Sequence, residues 1–248
     1  MKFLVVLFAV LYTCSALPQL KIEERIVGGT PAADGASPYM VSLRQPTTNR
    51  HFCGGSLLSK RWVLTAAHCV TVGGHNQVVA VVGTNKLSSG GTTYKAERVV
   101  VHERYGNADI DNDLALIKLT QDVVFTDRVQ PVTVSRTTVK GGETLRITGW
   151  GYTNHGGPVL PDSLQELHVT AQTPSTCQKY TPAATQLCTF LKTGQGVCNG
   201  DSGSALLLNG QQVGIASYIL NQCAGGFPDY FTRLSLYNDW IDNVMRQY

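Results

Sequence analysis

Long apolar runs are nearly absent from this 248-residue chain. The longest near the start, Phe3–Leu11, falls well short of the about 20 residues that a bilayer-spanning helix needs, and no later stretch is longer. A membrane anchor is therefore not expected. Charge is scarce as well: 15% of residues are charged, the formal net charge is +3, and no block of like charges occurs. That balance argues against nucleic acid or an anionic membrane as the partner. There is no Asn-x-Ser/Thr acceptor, so an N-linked glycan is not expected. Heptads and low-complexity segments are missing too, which excludes coiled coils and fibrous arrays.

What is present begins with a leader pattern. Lys2, the apolar run Phe3–Leu11 and the small-residue site Cys14-Ser15-Ala16 read as a signal peptide over residues 1–16, so the protein is expected outside the cell. Of the seven cysteines, Cys14 leaves with that leader. Cys53, Cys69, Cys177, Cys188, Cys198 and Cys223 remain, an even set that reads as disulfides in an oxidising compartment. Spacing alone does not fix their pairing. A zinc site built from His51, Cys53, His68 and Cys69 is the rival reading, but it lacks a Cys-x-x-Cys pair. Residues 17–25 are short and polar and end in Glu23-Glu24-Arg25, directly before Ile26-Val27-Gly28-Gly29. A basic residue there suits proteolytic trimming; a plain linker would look the same on this motif alone.

Strand character dominates the rest. The segments 39–44, 52–58, 77–82, 98–101, 114–119, 144–148, 164–170, 205–208, 212–217 and 230–234 are rich in Val, Ile, Leu and Tyr and are separated by Gly, Pro, Asn and Ser. Glycine pairs recur as natural turns at 28–29, 54–55, 73–74, 90–91, 141–142, 156–157 and 225–226. Such spacing points to an all-β barrel or sandwich. One helix is expected, at about 235–247, capped by Ser235 and carrying an apolar stripe of Leu236, Tyr237, Trp240, Ile241, Val244 and Met245. The polar segment 135–142 reads as a crossing between two halves.

The stretch that bears chemistry is Cys198-Asn199-Gly200-Asp201-Ser202-Gly203-Ser204-Ala205. Small residues around Ser202 suit a tight turn that exposes a hydroxyl beside free backbone amides. A serine hydroxyl is a poor nucleophile without a base and a group to orient that base. His68, in Leu64-Thr65-Ala66-Ala67-His68-Cys69, and Asp113, in Asp111-Asn112-Asp113-Leu114-Ala115-Leu116, supply both in the chain order His…Asp…Ser. Asp109 and Asp111 compete with Asp113, which alone directly precedes an apolar strand. His51, His75, His102, His155 and His168 read as ordinary surface or core residues.

These motifs, with Thr148-Gly149-Trp150-Gly151, make the chain similar to the chymotrypsin family of serine proteases, most like insect digestive members, from Arg25 to the end. The resemblance implies two six-stranded antiparallel β-barrels, at about 26–134 and 142–234, with the active site between them and a C-terminal α-helix. It implies the pairs Cys53–Cys69, Cys177–Cys188 and Cys198–Cys223. It implies Ser202 as nucleophile, His68 as base, Asp113 as its orienting acid, the Gly200 and Ser202 amides as oxyanion hole, and Ser217 bonding Asp113 while facing the substrate backbone. Cleavage after Arg25, by a trypsin-like protease, would free the Ile26 ammonium to pair with Asp201. Expected partners are protein or peptide substrates and protein inhibitors; a cofactor is not implied, and a monomer is expected. A regulatory or venom protease and a non-catalytic homologue are the alternatives.

The sequence departs from that family at several places. Gly196 stands where trypsins carry the acid at the base of the specificity pocket, while Asp229 falls on the far wall, as in collagenolytic members. Ile219 stands near the pocket mouth, where most members have glycine. These suggest a broad, chymotrypsin-like, elastase-like or collagenolytic preference. Ser204-Ala205 replaces the usual Gly-Pro, which would strain Ser204 if a positive φ were needed. The loop 83–94 has no carboxylate, so the calcium site of some relatives is not expected.

Overall fold

The structure, a computed structural model, describes residues 26–71, 77–106, 111–157, 159–182 and 184–248. After the two-residue strand Thr30–Pro31 (β1), six strands follow: Met40–Arg44 (β2), His51–Leu57 (β3), Trp62–Thr65 (β4), Val79–Val82 (β5), Thr92–Val101 (β6) and Ala115–Leu119 (β7). They close into an antiparallel barrel in the order β2-β3-β4-β7-β6-β5. Every residue of β2, β4 and β5 is buried, because these short strands meet the barrel interior on one face and the rest of the protein on the other. Strand β6 starts earlier than the apolar pattern suggests. Its first half, Thr-Thr-Tyr-Lys, keeps only Tyr94 inside, so pairing with β5 rather than apolar content defines it. His68–Thr71 (α1) is a single turn following β4.

The second half contains Thr144–Gly149 (β8), Gln165–Thr170 (β9), Gln186–Thr189 (β10), Ala205–Leu208 (β11), Gln211–Ile219 (β12) and Asp229–Arg233 (β13), with the short helix Pro174–Cys177 (α2) between β9 and β10. Their order is β1-β9-β8-β11-β12-β13-β10. The bridge Ala171–Thr189 curls the far end of the sheet back towards β10. The fold is thus the expected all-β pair of antiparallel six-stranded units; the first closes through continuous ladders, the second through one bridge. Strand β10 was not anticipated, since Gln-Leu-Cys-Thr offers little apolar signal.

The C-terminal helix requires a correction. Leu234–Leu236 forms a 3-10 turn and the α-helix Asn238–Gln247 (α3) begins only afterwards, so Ser235 does not cap it. Leu234 and Tyr237 both bury completely or nearly so. Three residues apart, they lie on one face of that turn. Leu236 is left 56% exposed and is not part of the stripe, whereas Tyr237, Ile241 and Val244 join the core of the first barrel.

The structure pairs Cys53 with Cys69, Cys177 with Cys188 and Cys198 with Cys223, at Cα separations of 6.2, 5.7 and 5.0 Å. The first bond joins two of the four ligands of the rival zinc reading, and a disulfide sulfur is not a thiolate ligand. No described helix is long and apolar enough to cross a membrane.

Candidate active site

Strand β4 delivers His68 to the cleft, and the approach to β7 delivers Asp113. Thr65, Ala66 and Ala67 are fully buried, which anchors the turn from β4 into α1. Asp113 is also fully buried. Its carboxylate accepts the His68 amide at 2.9 Å, His68 Nδ1 at 2.8 Å and the Ser217 hydroxyl at 2.6 Å. Burial by itself pushes the Asp113 carboxyl up, but the bonds and charge of His68 and the bond from Ser217 outweigh it and hold the group below its ordinary value. A carboxylate in that position accepts, so Nδ1 carries the proton and Nε2 keeps its lone pair for the cleft. Thr232 of β13 donates to the Asp113 carbonyl at 2.8 Å, tying the loop to the second half.

Asp111 is taken by the Thr185 hydroxyl. Asp109 lies outside the described residues, as do Arg25 and His75.

Ser202 sits in a turn bounded by Gly200 (φ +98°) and Gly203 (φ +82°). The Ser202 carbonyl accepts from the Gly54 amide at 2.8 Å, and Gly203 donates to the Ala216 carbonyl at 2.8 Å. Among the described residues, neither the Gly200 nor the Ser202 amide is used by another backbone carbonyl. Together with His68, Ser202 lines a cavity of ≈ 290 Å3 whose other walls are Val197, Cys198, Asn199, Ala216, Ser217, Tyr218 and Ile219. The site therefore brings a hydroxyl and an oriented imidazole to one opening, beside a turn whose Gly200 and Ser202 amides are free of backbone acceptors.

Behind the opening lie two buried acids. Asp201 accepts from the Gly151 amide at 2.7 Å and the Cys198 amide at 3.0 Å, and burial lifts its carboxyl to about 7. A Cβ on Gly149 or Gly151 would strike this carboxylate, which is why the segment Gly149-Trp150-Gly151 frames it. Ile26 is fully buried in the second core, and Val27 bridges Gly196. Asp229 is buried as well; Val197 donates to it at 3.0 Å. Burial lifts this carboxyl too, to about 7, with the charge of Asp201 adding to it. Any side chain at position 196 would collide with Asp229, so Gly196 and Asp229 are one arrangement: the acid occupies the space that a residue at 196 would need. Both stand just behind Val197, and Ile219, paired with Asp229 across β12–β13, reaches the cavity wall.

Ser204 has no positive φ, so the strain anticipated for it is not found. Its hydroxyl is instead buried without a hydrogen-bond partner, wedged against the backbone positions of Gly54 and Gly149.

His51 was read as an ordinary residue, yet it touches the nucleophile turn. It is buried, its Nε2 lies 3.0 Å from the Gly200 carbonyl and its Nδ1 2.9 Å from Ser42 Oγ. No local signal marks it: Ser42 and Arg44 alternate onto one face of β2, and only the register of β3 places His51 opposite Arg44. Of the other histidines, His102 is buried against Tyr237 and Trp240, His155 accepts from the Cys223 amide at 3.3 Å, and His168 is exposed on β9.

A two-barrel fold with this cleft defines a serine endopeptidase. Residues 26–241 match the family described as Trypsin, and the chain belongs to that family. It is 42% identical over 219 residues to Chymotrypsin-2 of Vespa crabro, covering 87% of this chain and 98% of the relative. It is 40% identical to Serine protease SP24D of Anopheles gambiae, over 90% of this chain and 82% of the relative. Among solved structures it resembles neuropsin, a serine protease expressed in the limbic system of mouse brain, with a TM-score of 0.81, 28% identity, and coverage of 88% of this chain and 98% of that one.

Proposed function

We propose that this trypsin-family peptidase is secreted as a zymogen and hydrolyses peptide bonds through Ser202, His68 and Asp113. The observation that carries the reading is the buried Asp113 gripping His68 beside a cavity that Ser202 lines. Ser202 Oγ attacks the scissile carbonyl while His68 Nε2 takes its proton; the acyl-enzyme forms as His68 protonates the departing amine, and water then completes hydrolysis by the reverse relay. The amides of Gly200 and Ser202 hold the oxyanion, each worth about 3 kcal/mol in the transition state.

Residues 1–16 serve as signal peptide and 17–25 as activation peptide. Cleavage after Arg25 converts the Ile26 amide into an ammonium, which satisfies the buried Asp201. That pair draws the carboxyl back to its ionised form and fixes the turn bearing the two amides. Asp229 and Ile219 give a pocket that takes apolar side chains and, when Asp229 is ionised, Lys or Arg. The likeness to a hornet chymotrypsin supports a digestive enzyme of broad preference. The test is fluorophosphonate labelling of the cleaved protein followed by profiling on a peptide library. Covalent labelling at Ser202 and cleavage after several residue types are expected. No label on a cleaved, folded protein refutes catalysis, and cleavage of a single motif refutes digestion.

A further inference from the structure

Asparagine precedes glycine twice in the chain, at Asn199-Gly200 and at Asn209-Gly210. Glycine carries no side chain to shield its amide nitrogen, so in such pairs that nitrogen reaches the asparagine side chain most readily. Asn199 is exposed, and its side chain makes no hydrogen bond among the described residues. It lines two openings, the catalytic cavity and a second cavity of ≈ 310 Å3 bordered by Phe52, Tyr152 and Leu160, so it has room to turn. The Gly200 amide is free of backbone acceptors, and the Tyr152 amide donates to the Asn199 carbonyl at 2.9 Å.

We infer that Asn199-Gly200 is a self-modification site, at which the protein consumes one of its own oxyanion donors. The inference rests on the assignment of the Gly200 amide to the oxyanion hole. The Gly200 nitrogen gives its proton to solvent and bonds to Asn199 Cγ. The Cγ–Nδ2 bond breaks, and that nitrogen leaves as ammonia with a proton from solvent. Water then opens the cyclic imide. Opening at Cγ leaves an aspartate on the ordinary backbone; opening at the main-chain carbonyl leaves an isoaspartyl link that runs through Cγ. Nothing is oxidised or reduced, and water is the only co-reactant. The carbonyl held by Tyr152 belongs to the peptide whose nitrogen attacks. As that nitrogen loses its proton, negative charge spreads onto this oxygen, and the bond from Tyr152 becomes charge-assisted. Asn209 lacks that aid. Among the described residues no loop amide donates to its carbonyl, and it is held at φ +50° in the tight turn between β11 and β12.

The products differ from the parent where catalysis is most sensitive. The imide nitrogen carries no hydrogen, so ring closure removes a donor from the hole. The isoaspartyl link restores the N–H but lengthens the backbone ahead of it and displaces it. An aspartate at 199 restores the N–H in place and adds a negative charge to the cavity wall. Bound substrate works against the modification, because the oxyanion accepts the same proton that must leave. The enzyme therefore ages fastest when idle.

The test holds the full chain, cleaved after Arg25, warm at mildly alkaline pH and reads each asparagine by peptide mapping. In Ser202→Ala, which cannot digest itself, Asn199 should be modified about tenfold or more faster than Asn209. In the parent capped with fluorophosphonate, whose phosphonyl oxygen fills the hole, Asn199 should lose this excess while Asn209 keeps its rate. Isoaspartyl molecules separated by chromatography from the uncapped parent should show kcat about 100-fold or more below that of unmodified ones. Asn199→Gln, whose longer side chain closes the ring poorly, should hold its own starting kcat throughout. An Asn199 modified no faster than Asn209 overturns the inference. So does a capped enzyme that ages as fast as Ser202→Ala, or an isoaspartyl form with the parent's kcat. A parent that takes no fluorophosphonate defeats the catalytic reading instead, and the comparison of the two asparagines in Ser202→Ala still decides the modification.

Discussion

The first barrel brings His68 and Asp113 to the cleft from strands that hydrogen-bond all the way round, over one continuous apolar core. The second half brings Ser202 and the pocket on the segment from β10 to β13, where glycines at positive φ, the Cys198–Cys223 disulfide and two buried carboxyls are concentrated. The base and its acid are thus fixed by folding alone. The Ser202 turn and the pocket rest on buried carboxyls that meet backbone amides here, and the proposed activation would give Asp201 its partner. A cleft divided in this way can be switched by changing only one of its sides.

The largest expected effect addresses the cleft itself. Ser202→Ala should cut kcat by roughly 10^4-fold or more, with circular dichroism unchanged in both halves. A variant that digests protein as fast as the parent would remove Ser202 from the mechanism. Next comes the asymmetry. In an Arg25→Ala chain that cannot be trimmed, amide hydrogen exchange should be about tenfold or more faster at residues 196–203 than in the cleaved enzyme, while β2–β4 stays unchanged. Equal changes on the two sides would show that the halves respond together.

A third prediction uses the Asp229 carboxyl, lifted to about 7 by burial and by Asp201. Below that value the carboxyl behind Val197 is neutral, and above it anionic. The ratio of kcat/KM for Lys or Arg over Leu before the scissile bond should therefore rise with pH through about 7, and Asp229→Asn should flatten it. Stability carries the matching sign. The folded state holds this proton more tightly than the unfolded chain, so the parent should lose stability relative to Asp229→Asn as pH climbs from about 4 to about 7, which urea midpoints would record. The smallest effect belongs to Ser204, whose buried hydroxyl is unpaired. Ser204→Ala should stabilise by about 1 kcal/mol in urea unfolding without altering kcat; a destabilised variant would reveal a bond that the hydroxyl makes.

How much of this was legible beforehand follows from which signals are local. Ser202, His68 and Asp113 stand in short motifs whose residue types betray their chemistry, and glycine-punctuated apolar segments mark most of the strands. Strand β10 and the first half of β6 left little trace, because their pairing is set by neighbours and not by their own side chains. The Ser42–His51–Gly200 connection was invisible for a related reason: it exists only through the register of β2 on β3 and the approach of a turn 149 residues away. Ser235 misled because capping residues are common in helix starts, whereas here it lies inside a 3-10 turn and the α-helix begins three residues later.

The chain's two ends change sides. Strand β1 adds to the edge of the second sheet, whereas α3, at the other end, lays Ile241 and Val244 on the first barrel. Each lobe is therefore clasped by a piece of chain that belongs, in sequence, with its counterpart. A nick in the connecting segment 135–142 of the folded protein should leave two fragments that copurify, and neither lobe expressed by itself would carry its own clasp.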